Sequence, residues 1–493
     1  MFDEIVTNNE EKFNDLERKI YKFVCFFGCL ILKLLLEAHD RRLMKARDSK
    51  KYRHKGLRTT HVNTIMGDVQ YKRVMYEIHE NGVTKTVYLL DEKLNINTDG
   101  KVSSNLVEKV VEIVPITDSY RKAEKVIEET TNTTLSHEKI RNIIVKLGDK
   151  ITNKEKEERR LFDKGKLIKG FKEVTALFEE ADGIWINLQG KDRKKRIEEN
   201  EKKAQKVNKE FNPKMKIKTE LKLHLMYEGW KKGDSRHSLV NKQYIAGIMK
   251  PKEIKKLRDA RVHQQYAEDK IKMRVINGDG AKWTKGIATN GGFYQKDQFH
   301  IMQAIMRYTP REQRELMREL VNKKEYKKVQ ILINGIRSEL IKRKESTENI
   351  NRLESYLSID LERYQDVLEV PKAPEGIEYR TMGTQESQIF SKLKKRFCSG
   401  RKAFSIRGAN ALSKICVLNE KFKIDEIENP IPIDTSIEDW IKEIEEKVRK
   451  NKKKRTVHEK SKETIGVHLS HSELKFMKEI FKIQNFTELR CSY

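Results

Sequence analysis

Cysteine is scarce: five residues in 493 (Cys25, Cys29, Cys398, Cys416 and Cys491), odd in number and widely spread. That argues against a disulfide framework and predicts reduced thiols in a cytoplasmic protein. Only Cys25 and Cys29 lie close together, at helical i,i+4 spacing, and no Cys/His pair follows at zinc-finger distance, so a structural zinc is not expected. Long apolar runs are missing too. The longest, Phe23 to Leu32, spans about ten residues against the ~20 that a bilayer-spanning helix needs, and no small-residue cleavage site accompanies it. A buried helix, or one that pairs with another subunit, is expected there, in a soluble, intracellular chain. No internal repeat is evident. Apolar residues make up only 37% of the chain, but they sit in blocks, so it should fold rather than stay disordered.

Positive charge is what the chain has in excess. Lys and Arg number 104 against 75 Asp and Glu, a net +29. A surplus that large repels itself unless it serves an anionic partner, with nucleic acid the first candidate and a membrane surface the second. The length suffices for about three domains of ~150 residues.

Composition divides the chain into segments. Residues 1–58 read as an N-terminal helical, dimerisation segment and 59–100 as a β-hairpin region, with Gly67-Asp68 and Asn81-Gly82 as turns. Residues 101–150 read as three short helices: Ser103-Ser104 caps the first and Ser136 the third. The basic third helix, with Lys139, Arg141 and Lys146, fits a helix-turn-helix-like DNA-binding domain. A charged helical linker leads into strands at 174–188, 216–227, 244–249 and 272–277, the second alternating apolar and polar residues clearly. Between the first two strands a basic excursion, Lys191 to Lys214, reads as a hairpin arm or loop; Lys191, Arg193, Lys194 and Lys195 would hold phosphates. Strands first, then helices alternating with strands, predict an α/β ribonuclease H-like core, a mixed sheet flanked by helices. Residues 170–309 would form its first part, 310–375 a helical insertion, 376–420 its second part and 421–493 a charged basic tail.

Three acidic residues stand where an ordinary structural role is hard to find. Asp182 interrupts the apolar run Ala181 to Ile186, although Asp is depleted in strands. Asp279 ends another, Val275 to Trp283, and is followed by the small Gly280 and Ala281. Asp-Gly and Asn-Gly are also turn signals, but the flanks here are not hairpin-like. Glu386 opens a helix rich in bases. A first-turn acid complements the helix dipole, which leaves unexplained the Gly383-Thr384 entry and the bases after it. Lys392, Lys394, Lys395 and Arg396 would face phosphates if Glu386 faced a metal. Asp297 and His300 lie at i,i+3, on one face of a helical turn. Separated carboxylates in a basic protein point to a divalent-metal site acting on a polyanion.

The segments EADGIWINLQGKDRKK, NGDGAKW, DQFH, GTQESQIFSKLKKR and RKAFSIRGANAL resemble the ISLre-type insertion-sequence transposases, relatives of the Mutator-like transposases. The resemblance runs from the N-terminal helix to about residue 420. It implies a DDE ribonuclease H-like core with a helical insertion before the Glu and an acid-x-x-His motif after the second Asp. Carried over by motif, Asp182, Asp279 and Glu386 would be the catalytic metal ligands, and Asp297 and His300 the accessory pair. Glu345, Glu348 and Glu354, within the insertion, are alternatives for the third acid, and Phe404 stands where the family has a Trp. The implied cofactor is a pair of Mg²⁺ ions, with Mn²⁺ as a substitute. The implied function is that of a DNA transposase that binds terminal inverted repeats and cleaves and transfers strands. Its partners would be double-stranded DNA, both inverted repeats and target, and further copies of itself in a homodimer or higher oligomer. It would act at the bacterial nucleoid, away from any membrane. A nuclease that stops at hydrolysis, or a non-enzymatic DNA-binding regulator, are the alternatives.

Overall fold

Helix α1 (Phe13–Ala46) and the three-stranded sheet β1 (Arg53–Thr64), β2 (Gly67–Glu80) and β3 (Val83–Val87) form the first of two compact units. In this computed structural model, residues 13–432 are described except 81, 97–100, 207–216, 234–236, 288–291, 359–379, 381 and 419–421. The basic run at 447–455 and Cys491 therefore lie outside the described residues. Cys29, Leu32, Leu36 and Leu43, three to seven residues apart along one helix face, pack on Val62, Val69, Tyr71 and Leu90. Two carboxylates of α1 reach the sheet backbone: Asp40 Oδ2 accepts from Val74 N (2.7 Å) and Glu37 Oε1 from Lys72 N (3.0 Å). The first hairpin turns at Ile65-Met66 rather than at Gly67-Asp68. Thr64 Oγ1 bonds both Met66 N and Gly67 O and closes the turn before Gly67, which opens β2 at φ +136°. The returning strand, expected over Thr84 to Leu90, ends at Val87, and Leu89–Leu94 is a short helix, α2.

The second unit begins with α3 (Ser104–Ile116), α4 (Tyr120–Thr130) and α5 (His137–Asp163), capped by Ser103, Ser119 and Ser136. Helix α5 carries on through the charged stretch that reads as a linker, because nothing there breaks a helix. Its central sheet is built from β4 (Ala176–Leu188), β5 (Lys218–Tyr227), β8 (Gln243–Gly247), β9 (Met273–Gly278) and β10 (Phe293–Lys296), in the order β10-β9-β4-β5-β8. Strand β5 runs antiparallel to both β4 and β8, whereas β9 runs parallel to β4 and β10 parallel to β9. A short β6/β7 ribbon (Trp230–Lys231, Ser238–Leu239) lies outside this sheet, and β11 (Ala403–Phe404) adds to the far end of β4. The fold is thus a mixed α/β one, with a mixed sheet flanked by helices. The basic excursion after β4 is helical over Gly190–Lys206 (α6) and buries none of its residues.

One apolar core joins Leu106, Val110, Ile127, Ile140 and Ile144 of α3–α5 to Ile184, Ile186, Leu221 and Leu223 of the sheet and to Ile389, Leu412 and Ile415 further along the chain. The three helices expected as a DNA-reading unit therefore share their interior with the sheet. Helix α14 (Ile406–Cys416) lies so close to α5 that a Cβ on Gly148 would sit 2.4 Å from Ala411. Lys414 on α14 is buried and pairs with Glu155 of α5 at 2.6 Å.

Helices α7 (Pro251–Gln265), α8 (Lys282–Ile287) and α9 (Gln298–Tyr308) punctuate the later strands. The segment expected as a helical insertion contains α10 (Arg314–Asn322), α11 (Tyr326–Lys342) and α12 (Glu348–Ser358), whose Met317, Val321, Ile333, Ile336 and Leu353 form a separate core with Ile301 and Ile305 of α9. Helix α13 (Gln385–Ile389) passes through a π turn (Phe390–Lys394) into a last turn, Lys395–Phe397. Cys25, Cys29, Cys398 and Cys416 are not disulfide-bonded, and among the described residues no helix is long and apolar enough to cross a membrane.

Candidate metal centre

Strand register sets the first two acids side by side. Ala181 of β4 pairs with Gly278 of β9 in a parallel ladder, so the next residues, Asp182 and Asp279, occupy neighbouring positions where β9 ends. Asp182 is buried, and its Oδ1 accepts from Gly183 N at 2.6 Å. Asp279 Oδ1 accepts from Ala281 N (2.9 Å) and Thr284 Oγ1 (3.2 Å), and its carbonyl accepts from Tyr356 OH of the insertion (2.9 Å). Gly280 follows at φ +89°, a left-handed conformation that favours glycine, and its N–H donates to Tyr294 OH.

Helix α9 brings the imidazole. Asp297 is its N-cap: Oδ2 accepts from His300 N (3.2 Å) and lies 2.8 Å from His300 Nδ1, while Oδ1 accepts from Asn277 Nδ2 (2.9 Å). Asp297 N in turn donates to Gly278 O at 2.8 Å, which fixes the cap beside the end of β9. His300 Nε2 is left facing Asp182 Oδ2 (3.9 Å) and Glu386 Oε1 (3.8 Å).

Glu386 arrives on α13, anchored by a residue that sequence reasoning passed over. Glu180, fully buried on β4, accepts from Thr384 Oγ1 (2.7 Å), Thr384 N (3.3 Å), Gln385 N (2.9 Å) and Tyr227 OH (2.9 Å). Glu180 and Asp182 are i,i+2 on one strand and share a face, so the helix tied to Glu180 delivers Glu386 to Asp182. The signal in the sequence was two adjacent Glu residues inside an apolar strand. The other, Glu179, serves a buried network with His224 (2.8 Å), Arg258 (3.4 Å) and Arg274.

Asp182, His300 and Glu386 each offer a donor atom, all within 4.8 Å of one another, and among the described residues this is the one such group able to hold a metal ion. Asp279 stands beside it, with one oxygen already engaged. Electrostatics agree with an anionic site. Burial, and then the charges of Asp279 and Glu386, push the Asp182 carboxyl up to about 6. Burial opposes charge on His300, but the Asp297 hydrogen bond and the charges of Asp182, Asp297 and Asp279 outweigh it and raise its pKa. Two of the three alternative acids are used elsewhere: Glu354 pairs with Arg337, and Glu348 with Arg352 at 2.5 Å.

The bases expected to meet phosphate are scattered. Lys394 Nζ binds Glu386 Oε2 at 2.7 Å, Lys395 lies 5.5 Å from the Phe390 ring centre and Lys392 5.5 Å from that of Tyr244. Arg396 is buried against the Tyr120 ring and donates to Asp118 O, so it does not share their surface. Lys191, Arg193, Lys194 and Lys195 line exposed α6. Lys139 donates to Asn63 Oδ1 (2.6 Å), Arg141 to Asn142 (3.4 Å), and Lys146 is exposed on α5.

A mixed sheet whose strand ends gather carboxylates and an imidazole defines an α/β protein with a candidate metal centre. The chain belongs to the Uncharacterised protein family (UPF0236), whose model matches residues 6–206 and 204–423. Two UPF0236 proteins of Caldanaerobacter subterraneus subsp. tengcongensis are each 26% identical over 255 residues, 51% of this chain and 46% or 45% of theirs. The chain thus spans about half the length of the curated relatives it matches. Among solved structures, the Drosophila P element transposase strand transfer complex aligns over 70% of this chain and 86% of that one, at 10% identity. Its TM-score of 0.20 is too low to carry weight.

Proposed function

We propose that this protein is a DDE-type DNA transposase, of the ISLre type, that binds the inverted repeats of an insertion sequence and catalyses metal-dependent strand cleavage and transfer. The observation that carries the reading is the convergence of Asp182 and Glu386, on β4 and α13, with His300 within 4.8 Å and Asp279 alongside. Three antiparallel strands followed by parallel strands alternating with helices match the order of a ribonuclease H-like core. The net charge of +29 suits a polyanionic substrate.

The donor set fits a hard divalent cation: Asp182, Asp279 and Glu386 would hold Mg²⁺, with Mn²⁺ as a substitute, through carboxylate oxygens. A bound metal would supply charge neutralisation at the scissile phosphodiester and a more acidic water. Asp297 fixes the orientation of His300, so that a protonated imidazole can donate from Nε2 to a phosphate oxygen. Lys394 balances Glu386 and brings a second cation to the same place. The exposed bases of α6 hold backbone phosphates without reading sequence.

The test uses the purified chain, Mg²⁺ or Mn²⁺, and duplexes carrying the genomic sequences that flank its gene. Nicking at the element end and joining of the new 3′-hydroxyl to a second duplex are expected, with both lost in Asp182→Asn and Glu386→Gln while DNA binding persists. Cleavage without joining would make the protein a nuclease. Function unaffected by either substitution would make it a regulator and end the metal-centre reading.

A further inference from the structure

A cavity of about 570 Å³ opens between the end of α3 and the π turn that follows Glu386. Its wall is apolar where surfaces are usually polar: Ile116 is 79% exposed, Phe390 is 53% exposed, and Pro115 lines it with them. Its rim is cationic. Lys395 hangs over the Phe390 ring, and Lys394 lines the cavity while bonding Glu386 Oε2. The one carboxylate in the lining, Asp118, is paired with Lys122.

The π turn explains why one lysine can serve both places. At about 100° per residue, an α-helical side chain eight positions on points roughly 80° away from the first. A π turn inserts one residue, so Lys394 takes the direction of the seventh position, about 20° from Glu386. Phe390, the first residue of the π turn, lines the cavity. Three hydroxyls in the lining donate to backbone carbonyls: Thr117 Oγ1 to Ile113 O and Val114 O, Ser391 Oγ to Gln388 O, and Ser399 Oγ to Lys395 O. Ser399 also accepts from Lys402 Nζ (2.6 Å), so Thr117 and Ser391 are the two whose oxygens can still accept a hydrogen bond.

We propose that this cavity receives a nucleobase unstacked from the DNA strand whose phosphate lies at the carboxylate cluster. The base would stack on Phe390 under the Lys395 charge, as aromatic rings and cations hold single-stranded bases generally. Its exocyclic amino group would donate to the hydroxyl lone pairs, and Lys394 would bridge its phosphate to the metal centre. The volume exceeds that of one base, leaving room for the sugar. This inference rests on the proposed action on DNA, and it assigns that site a second contact, one with the base rather than with phosphate.

The experiment places 2-aminopurine, which brightens when it leaves the base stack, in turn at each nucleotide flanking the cleavage position, with the full chain as binder. At one position emission rises severalfold with the native protein and with Phe390→Tyr, but not with Phe390→Ala. Strand cleavage by Phe390→Ala slows about tenfold or more, and an abasic nucleotide at that position restores the rate. Because Phe390 is half exposed, its removal leaves the thermal midpoint in place, which separates loss of the base from loss of the fold. If the protein cleaves DNA while every labelled position stays dark, or if Phe390→Ala cleaves at the native rate, the cavity has no such role. A chain that neither binds nor cleaves DNA overturns the transposase reading itself, and this inference with it.

Discussion

Glu180 and Thr384, 204 positions apart, are joined by two hydrogen bonds, from Thr384 Oγ1 at 2.7 Å and from its backbone N–H at 3.3 Å. With Gln385 N and Tyr227 OH, four donors converge on one buried carboxyl group. Glu180→Gln would turn an amide NH₂ toward donors and leave at least one without an acceptor, at a cost of about 1–3 kcal/mol. The expected result is a lowered melting temperature and weakened Mn²⁺ binding, with DNA affinity little changed. Native-like Mn²⁺ affinity in this variant would show that Glu180 does not position Glu386.

Cation binding should depend on pH through Asp182. Burial and the neighbouring acids hold its carboxyl up to about 6, so below that pH a cation must displace a proton. Mn²⁺ affinity therefore rises as pH climbs through 6 and falls about tenfold for each unit beneath it. Calorimetric titrations at pH 5 and pH 7.5 compare the two regimes. Asp182→Asn should show weak binding and no such pH dependence.

Acid stability turns on the opposite face of β4. Burial lowers the pKa of His224 below its usual 6.5, against the pull of Glu179, so the folded state keeps it neutral. Burial alone would raise Glu179, but Arg258, Arg274 and His224 outweigh it and hold it well below the usual carboxylate range. Both folded-state values are depressed. The stability His224 contributes is present above 6.5 and lost as pH falls below it; that of Glu179 is present above 4.5 and lost further down. Melting temperatures between pH 7 and 5 should therefore fall less in His224→Gln than in the native chain.

The buried Lys414–Glu155 pair ties α14 to α5 at 2.6 Å. Removing one partner strands a charge, so Glu155→Gln should cost about 3–5 kcal/mol, whereas replacing both with Met should recover much of the loss. Chemical denaturation of the single and double variants measures the difference. Equal losses in both would mean that packing, not charge, sets the effect.

Local chemistry made much of this architecture legible. Ser103 and Ser136 cap their helices, the alternation in β5 marks a strand, and Asp297 and His300 meet as their i,i+3 spacing implies. Other elements carried no periodic signal. Helix α6 is polar on every side, so it lacks the apolar stripe that distinguishes a helix from a loop. Strand β10 has only four residues, too few for a pattern to emerge. The sharing of one interior by α3–α5 and the sheet depends on packing between segments far apart, which apolar spacing within a helix cannot reveal. Glu180 was hidden for a related reason: the donors that tie it to α13, Thr384 and Gln385, sit some two hundred residues downstream.

That separation governs what happens while the polypeptide emerges from the ribosome. Until Thr384 and Gln385 have been synthesised, the carboxyl group of Glu180 has Tyr227 as its sole native donor on the growing chain. A fragment that stops earlier must hydrate that group or shelter it as a neutral acid, and either choice loosens the central strand. Copies cut short before Thr384 would therefore hold β4 less firmly than the chain that carries Thr384 and Gln385.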